Sequence, residues 1–175
     1  MVNRMNSELA NDLGNLAQRV LSMVNKNCAA VVPTPGELTE ADLALLDPAR
    51  ALLGKVRDAL DRQVFHDALE QIWVVVRAAN AYVDHQAPWA LRKTDPDRMA
   101  TVLWVLIETI RHIALLMQII VPTSAGQMLD QLSIPEDERS FEFWGDAGSL
   151  KAGTPLPKPQ GVFPRYVEPE NGESA

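Results

Sequence analysis

The sequence predicts an all-α fold, an antiparallel bundle of four to five helices followed by an irregular C-terminal tail. Three observations predict this fold class. Apolar residues recur every three or four positions in several long segments, which is the spacing of a helix with one buried face. Prolines stand where such segments begin or end, as they do at helix boundaries. No segment of useful length alternates apolar and polar residues, and no internal repeat is present.

The length and composition indicate one main domain. A chain of 175 residues with 47% hydrophobic residues can bury one proper core but is too short for two. We expect residues 1–139 to form the helical domain and residues 140–175 to form the tail.

The first helix is predicted from a run of apolar positions that step by three and four. A connection follows at residues 33–36, where two prolines and a glycine interrupt the pattern. Thr39 and Asp42 form a plausible capping box for the next helix. Asp47 before Pro48 predicts that this helix restarts there and continues to about Leu60. The apolar positions of the first helix are Met5, Leu9, Leu13, Leu16, Val20 and Met23.

The later helices of the bundle are predicted from the same two signals, apolar spacing and proline positions. The third helix is predicted from about residue 64 to residue 85 and ends before Pro88. Asp95–Pro96 repeats the start signal, and residues 99–120 form an apolar helix that we expect at the centre of the core. Pro122 ends that run, and Ser124 is predicted to cap a short helix that reaches residue 132.

The tail beyond residue 135 loses helical spacing but keeps several large apolar side chains, which would be wasted in pure solvent. We therefore expect the tail to pack along another part of the protein. We also expect some exposed apolar surface and some tail disorder if this chain stands alone. The aromatic residues concerned are Phe141, Phe143, Trp144, Phe163 and Tyr166.

Charge and cysteine content limit the classes of function. A formal charge of −7 and a pI near 4.9 argue against general affinity for nucleic acid, DNA included, or for an anionic membrane, so any polyanion would need a local basic patch. Cys28 is the single cysteine, so an internal disulfide is excluded and a reduced, cytoplasmic setting is expected. We find no apolar run of about 18 residues that would span a membrane, the most apolar stretch being residues 113–121.

Sequence motifs for catalysis or metal binding are absent. The pairs His66/Glu70 and Glu108/His112 have i, i+4 spacing, which suits either ordinary helix-surface pairs or a carboxylate-bridged metal centre. Bundles with such centres use Glu-x-x-His at i, i+3, so the spacing is off by one. We predict no metal site and no catalytic residues in this chain.

A polar column marks the first helix. Asn11, Asn15 and Arg19 are spaced by four residues, so their column drifts by only about 80° around the helix. Gly14, on its flank, would cost about 1 kcal/mol inside a helix, which suggests close approach of another backbone. The column either faces water or offers amides and a planar cation to the edge of an unpaired base.

The segment Pro88–Trp89 is the second notable feature, because Arg92 and Lys93 follow it closely. Trp89 is either a boundary aromatic of the core or a platform on which a base stacks while the two cations hold phosphate.

Four segments give the chain a family resemblance that spans nearly its whole length. They resemble the C-terminal, anticodon-binding part of bacterial methionyl-tRNA synthetases, which are class I aminoacyl-tRNA synthetases. The segments are VNRMNSELANDLGNLAQRVLSM at 2–23, ANAYVDHQAPW at 79–89, VLWVLIETIRHIALLMQIIVPTSAGQMLDQL at 102–132 and GVFPR at 161–165.

The resemblance implies a helical bundle that recognises the CAU anticodon of methionine tRNAs, with the tRNA anticodon loop and the catalytic domain of the same enzyme as partners. Asn15 and Arg19 match family positions that contact the first anticodon base, a cytosine. Trp89 matches the residue that stacks beside that base. By the same resemblance, Asn11, Pro88 and Lys93 match positions with supporting roles.

The family's catalytic fold is missing from this sequence, as are its nucleotide-binding signatures and its zinc-bearing knuckle. We therefore expect the chain alone to be inactive in attaching methionine. ATP, and zinc where it occurs, would be bound in the catalytic part. The alternative function is a non-catalytic bundle that contacts another protein through Trp89 and the tail aromatics.

Overall fold

The computed structural model describes residues 5–163, with side chains described from residue 8 onward. The all-α prediction is confirmed, since the described residues form helices and no named strand. A π-helical segment, Met5–Gly14, leads directly into the first α-helix. The α-helices are α1 (Asn15–Asn27), α2 (Glu40–Asp61), α3 (Phe65–Gln86), α4 (Pro88–Thr94), α5 (Pro96–Met117) and α6 (Pro122–Gln131), followed by 3₁₀ turns at Glu136–Glu138, Phe141–Phe143 and Gly145–Gly148.

Helix α5 is the centre of the core, and the other five α-helices all contact it. Every residue from Thr101 to Met117 is buried. An 18-residue window of α5 has a mean hydropathy of 1.6, which corrects our expectation that no apolar run reaches this length. Because 94% of that window is buried inside the fold, its apolar character is explained by packing within the bundle.

The first helix, which consists of the π-helical segment followed by α1, contacts α3 mainly through the π-helical segment and runs in the same direction. Trp73 Nε1 donates to Glu8 Oε2 at 2.6 Å, and Asn80 Nδ2 donates to the carbonyl of Asp12 at 3.3 Å. Further along both helices, an ion pair joins Arg19 of α1 to Asp84 of α3. This arrangement places the exposed strip of α1 beside the C-terminal half of α3.

A buried polar network joins α2, α3 and α5. Asp42 is fully buried and accepts bonds from both terminal nitrogens of Arg98, at 2.6 and 2.7 Å, and from the hydroxyl of Tyr82. Burial alone would raise the pKa of Asp42, but the hydrogen bonds from Arg98 and Tyr82 outweigh it and lower the pKa to about 2. Asp42 also accepts from the backbone N–H of Thr39 at 2.8 Å, which confirms the predicted capping box.

Three local predictions are wrong, each because tertiary packing overrides a local signal. The first helix begins as a π-helix and not as an α-helix. Pro48 lies inside a continuous α2 and does not restart it. The short helix α6 begins at Pro122, and Ser124 does not cap it, because its hydroxyl donates to the carbonyl of Val162 at 3.1 Å.

The start of the tail is anchored to α5 and α2. Arg111, fully buried on α5, donates to the carbonyls of Phe143 and Gly145 at 2.9 and 2.7 Å. Trp144 Nε1 donates to the carbonyl of Arg50 at 2.7 Å. The tail therefore packs along the bundle, as predicted, as far as residue 163. Tyr166 lies outside the described residues, and the division of the chain at residue 139 stays a prediction.

Candidate nucleic-acid interface

The exposed strip of α1 presents two of the predicted site residues. Asn15 and Arg19 are one turn apart in regular α-helix, and both are exposed. The opposite side of this helix is buried in the core through Leu16 and Val20. The apolar face fixes the helix on the bundle, so the two polar side chains are held outward on a rigid element.

Asn11 differs from the other members of the predicted column. It lies in the π-helical segment, whose wider turns end at Gly14, and it is only half-exposed. A helical wheel of 100° per residue therefore does not describe its position. Asn11 also has an interaction partner within the protein, which suits the supporting role that the resemblance implies.

Arg19 connects the α1 strip to α3. Its Nη1 lies 3.1 Å from Asp84 Oδ1, and the two side chains keep 40% and 66% of their accessible surface. Such an exposed pair contributes about 0–1 kcal/mol to stability, so Arg19 can exchange this partner for another acceptor at little cost. The pair holds the guanidinium beside the last turns of α3.

A sharp corner follows Asp84 and presents Trp89. Helix α3 ends at Gln86, and Ala87 adopts the left-handed conformation with φ 44° and ψ 59°. Pro88 is buried as the first residue of α4, whereas Trp89 keeps 50% of its surface exposed. The prediction that Pro88 ends the third helix is confirmed, and the anchored proline places the tryptophan at the surface.

The charge around this corner is mixed. Arg92 and Lys93 are exposed in the last turn of α4, where cations also favour the helix dipole. Asp84, Asp95 and Asp97 are exposed in the same part of the chain. The cations around this corner are therefore interleaved with carboxylates, which limits nonspecific attraction of a polyanion.

Sequence reasoning missed two residues of this site, Asp84 and Ala87. The Arg19–Asp84 pair joins residues 65 positions apart, and only the folding of the first helix beside α3 brings them together. Ala87 carries no sequence signal for a left-handed residue, because glycine or asparagine is the usual choice there. Pro88, the next residue, was the one sequence signal that indicated a change of chain direction here.

The two His/Glu pairs differ from each other in the structure. His66 is exposed, and Glu70 pairs with Arg77. Glu108 and His112 are buried, and the ring nitrogens of His112 face the carbonyl of Glu108 at 2.8 Å and Arg111 at 3.3 Å. Within residues 8–163, no group of three or more His, Cys, Asp or Glu side chains is placed to hold a metal ion.

Comparison with known proteins identifies the family to which this arrangement belongs. The family model described as the anticodon binding domain of methionyl tRNA ligase matches residues 32–174. The chain is thus an anticodon-binding domain of the methionyl-tRNA ligase family. The match to the family model begins after α1. Curated methionine–tRNA ligases align over up to 99% of the chain, so these alignments include α1. The family does not favour the alternative of a bundle for protein contact.

Two curated methionine–tRNA ligases illustrate the relationship. That of Mesorhizobium japonicum is 54% identical over 96% of this chain and 33% of its own length. That of Mycobacterium tuberculosis strain H37Rv is 49% identical over 99% of this chain and 34% of its own length. The chain therefore spans about a third of the curated relatives that it matches.

Solved structures of methionyl-tRNA synthetase show the same fold. The free-state enzyme of Mycobacterium tuberculosis superimposes with a TM-score of 0.92 at 49% identity, covering 96% of this chain and 34% of that one. The same enzyme in complex with methionyl-adenylate gives a TM-score of 0.90 at 50% identity, covering 94% of this chain and 33% of that one.

Proposed function

We propose that this chain reads the CAU anticodon of methionine tRNAs as part of a longer, cytoplasmic methionine–tRNA ligase. One observation carries the proposal. Asn15 and Arg19 are exposed on α1, and Arg19 pairs with Asp84 near the end of α3. The corner that follows Asp84 carries the exposed Trp89. A hydrogen-bonding strip next to an exposed aromatic ring is the combination that proteins use for unpaired bases.

The chemistry of cytosine fits the α1 strip. The Watson–Crick edge of cytosine offers a carbonyl and a ring nitrogen as acceptors and an amino group as donor. The guanidinium of Arg19 donates to both acceptors, and the amide oxygen of Asn15 accepts from the amino group. Uracil carries a hydrogen on the ring nitrogen that cytosine leaves as an acceptor, so it would oppose the donors of Arg19.

Trp89 supplies the sequence-independent part of binding. Stacking of one base on an aromatic ring contributes about 1–3 kcal/mol. Lys93 and Arg92 follow on the next turn of α4 and are exposed, so they are available to the phosphates on either side of the stacked base. Pro88 acts indirectly, because its burial fixes the start of α4.

The remaining steps of the ligase reaction would take place outside this chain. ATP, and any zinc ion, would be bound by the catalytic domain that the longer relatives contain. On this proposal the chain is inactive alone and contributes anticodon affinity to an enzyme that also contacts the acceptor stem, so that the two contacts reinforce each other through linkage.

Binding of anticodon stem-loops to single-residue variants tests this function. The loops carry CAU or UAU, and the variants are Asn15→Ala, Arg19→Ala and the control Lys26→Ala, which removes an exposed cation from the same helix. Arg19→Ala and Asn15→Ala are each expected to lose about 1–3 kcal/mol of binding to the CAU loop. Their binding to the UAU loop should change little.

The control separates base reading from general electrostatics. Lys26→Ala should leave the preference for CAU intact, because Lys26 lies beyond the proposed base-contacting strip. Equal binding of CAU and UAU loops to the unaltered protein would contradict the proposed function. If Arg19→Ala and Lys26→Ala lose the same affinity for both loops, Arg19 acts only as a nonspecific cation.

A further inference from the structure

The last part of the described tail, residues 153–163, is called here the C-terminal strap. It forms no regular secondary structure, but hydrogen bonds and packing hold it at several points. Its two ends contact the chain on either side of α1, the helix that carries Asn15 and Arg19.

The first end of the strap pairs with the segment that follows α1. The backbone N–H of Val32 donates to the carbonyl of Thr154 at 2.8 Å, and that of Leu156 donates to the carbonyl of Ala30 at 2.7 Å. Val31 and Pro155 form an isolated antiparallel bridge between them. The residues just beyond the C-terminal end of α1 are therefore held by the strap.

The middle of the strap is anchored to α6. The side chain of Gln131 makes two bonds with the backbone of Gln160, accepting at 2.7 Å and donating at 3.0 Å. The hydroxyl of Ser124 donates to the carbonyl of Val162 at 3.1 Å, and Val162 is buried. These anchors direct the next residue, Phe163, back onto the start of α1.

Phe163 packs directly on Gly14, the last residue of the π-helical segment. A Cβ atom at Gly14 would lie 3.4 Å from Cβ and from Cδ2 of Phe163, and 3.1 Å from the carbonyl oxygen of Leu9. The close approach expected at Gly14 is thus made by an aromatic side chain and by a carbonyl of its own helix, and not by another helix. Phe163 covers the point at which π-helical turns change to α-helical turns.

We propose that Phe163 is a positioning residue that fixes the rotation of α1 and so determines how well this domain distinguishes bases. The next residue after Gly14 is Asn15, and Arg19 follows one turn later. Movement of the junction between π and α turns would rotate the start of α1 relative to the bundle. Base discrimination depends on hydrogen-bond direction, so it is more sensitive to such a rotation than stacking on Trp89 is.

The inference rests on the proposed function, and it is tested on the full chain with the CAU and UAU stem-loops. Phe163→Ala should lower the ratio of the two affinities about tenfold, since a bidentate contact loses its energy when misaligned. Binding to the UAU loop should stay nearly unchanged. The matched control is Phe141→Ala, which removes a half-buried tail aromatic that packs on Arg57 and Trp144.

A double-mutant cycle tests the contact itself. Gly14→Ala places a methyl group against Phe163 and the carbonyl of Leu9 and should also lower the affinity ratio. If the two residues act through their contact, the effects of Gly14→Ala and Phe163→Ala will be less than additive. Additive effects would contradict a shared role in positioning α1.

The outcomes separate this inference from the proposed function. Equal binding of both loops to the unaltered protein would overturn the proposed function and this inference with it. A preference for CAU that Phe163→Ala leaves intact would overturn the inference alone. A proportional loss on both loops would also overturn it, because general damage does not select between bases.

A milder substitution covers the case in which Phe163→Ala does not fold. Phe163→Leu keeps part of the packing on Gly14 and should give an intermediate affinity ratio. Hydrogen exchange provides a readout without RNA, since amides of residues 15–20 should exchange faster in Phe163→Leu than in Phe141→Leu. Equal exchange in the two variants would contradict the positioning role.

Discussion

Arg19 illustrates how one residue serves two partners. In the free protein its guanidinium pairs with Asp84 across two parallel helices, at 3.1 Å and in a partly exposed position. On the proposed function, the same guanidinium donates to cytosine when RNA is bound. On the same proposal, the exposed carboxylate of Asp84 competes with the base for Arg19 and repels nearby phosphates.

Replacing Asp84 by asparagine tests this competition. Asp84→Asn should increase affinity for the CAU loop several-fold at low salt, because it removes a charge that repels RNA. The gain should shrink as salt is raised, because exposed charges are screened over a Debye length of about 10 Å at 0.1 M. The melting temperature should barely change, since exposed ion pairs contribute about 0–1 kcal/mol. Weaker binding would show instead that Asp84 orients Arg19 productively.

Asp42 has a purely structural role at the same scale. Its fully buried carboxylate accepts from Arg98, Tyr82 and the N–H of Thr39. Asp42→Asn should lower the free energy of unfolding by about 3 kcal/mol, because the Arg98 charge loses its buried partner. Urea denaturation at neutral pH measures this loss. A change below about 1 kcal/mol, the range of an exposed ion pair, would contradict the role given to Asp42.

The pH dependence of this network has a definite sign. The folded pKa of Asp42, about 2, lies below the value of about 3.9 for an unfolded aspartate. Its contribution to stability is therefore complete above about pH 4 and is lost as the pH falls towards 2. The difference in stability between the unaltered protein and Asp42→Asn should decline over that interval.

At the scale of elements, α5 carries a buried polar cluster that anchors the tail. Glu108 accepts from Arg111 at 2.5 Å and from the backbone N–H of Leu150 at 3.1 Å. The ring of His112 meets Trp144 edge-on with centroids 4.7 Å apart. One turn of the central helix thus satisfies its own polar groups and binds the segment that starts the tail.

His112 should make this element sensitive to acid. Burial lowers its pKa to about 4, with the neighbouring charge of Arg111 acting in the same direction and Glu108 opposing. An unfolded histidine has a pKa of about 6.5, so its contribution to stability is complete above that pH and is lost as the pH falls towards 4. Between these two pH values, the free energy of unfolding should change by up to about 1.4 kcal/mol per pH unit.

Comparison with His112→Gln measures that contribution. The variant should be less stable than the unaltered protein at pH 7, where the ring packs on Trp144 as a neutral group. The difference between the two should narrow as the pH falls from 6.5 to 4.5, as determined by denaturant unfolding. A difference that stays constant with pH would mean that His112 is not the titrating group.

Element boundaries were predictable from sequence where local chemistry decides them. Asp95 Oδ1 accepts from the N–H of Arg98 at 3.0 Å, as its position before Pro96 suggested. Thr39 and Asp42 cap α2 in the same way. The π-helical start of the first helix and the continuity of α2 through Pro48 were not predictable, since packing with distant segments decides them. The candidate site followed the same rule: Arg19 and Trp89 were proposed from the sequence, whereas Asp84, which meets Arg19 only in the folded chain, was not.

At the scale of the whole molecule, an acidic protein is proposed to bind RNA. The net charge is −7, and the cations near the interface alternate with carboxylates. Affinity should then come mostly from base contacts and stacking, with few phosphate contacts. Isolated binding is expected to be weak, and the longer relatives have room for further tRNA contacts in the remaining two thirds of their length.

The salt dependence of binding measures the number of phosphate contacts. If Arg92 and Lys93 are the main contacts, the plot of log affinity against log salt should have a slope of about −1 to −2, since each contact to single-stranded RNA contributes about −0.7. Arg92→Ala combined with Lys93→Ala should bring the slope close to zero. A slope steeper than about −4 would require a basic surface that is absent from the described residues.

The fold class was predictable at this scale because the spacing of apolar residues alone indicates helices with buried faces. The same direction of the first helix and α3 follows from the predicted antiparallel order of successive helices, but the contacts between these two helices were not predictable, because they join residues 65 to 68 positions apart. The path of the tail likewise depends on buried partners such as Arg111, which the sequence shows only as a charge within an apolar helix.

The most direct test of anticodon reading by this chain is a fluorescence titration with CAU and UAU stem-loops, repeated with Trp89→Ala. Among the four tryptophans, Trp89 is half-exposed, and a base stacked on it should quench its emission. We expect quenching at lower concentration with CAU than with UAU, and loss of most of the quenching in Trp89→Ala. Identical titrations with the two loops, or quenching that Trp89→Ala leaves unchanged, would contradict anticodon reading at this site.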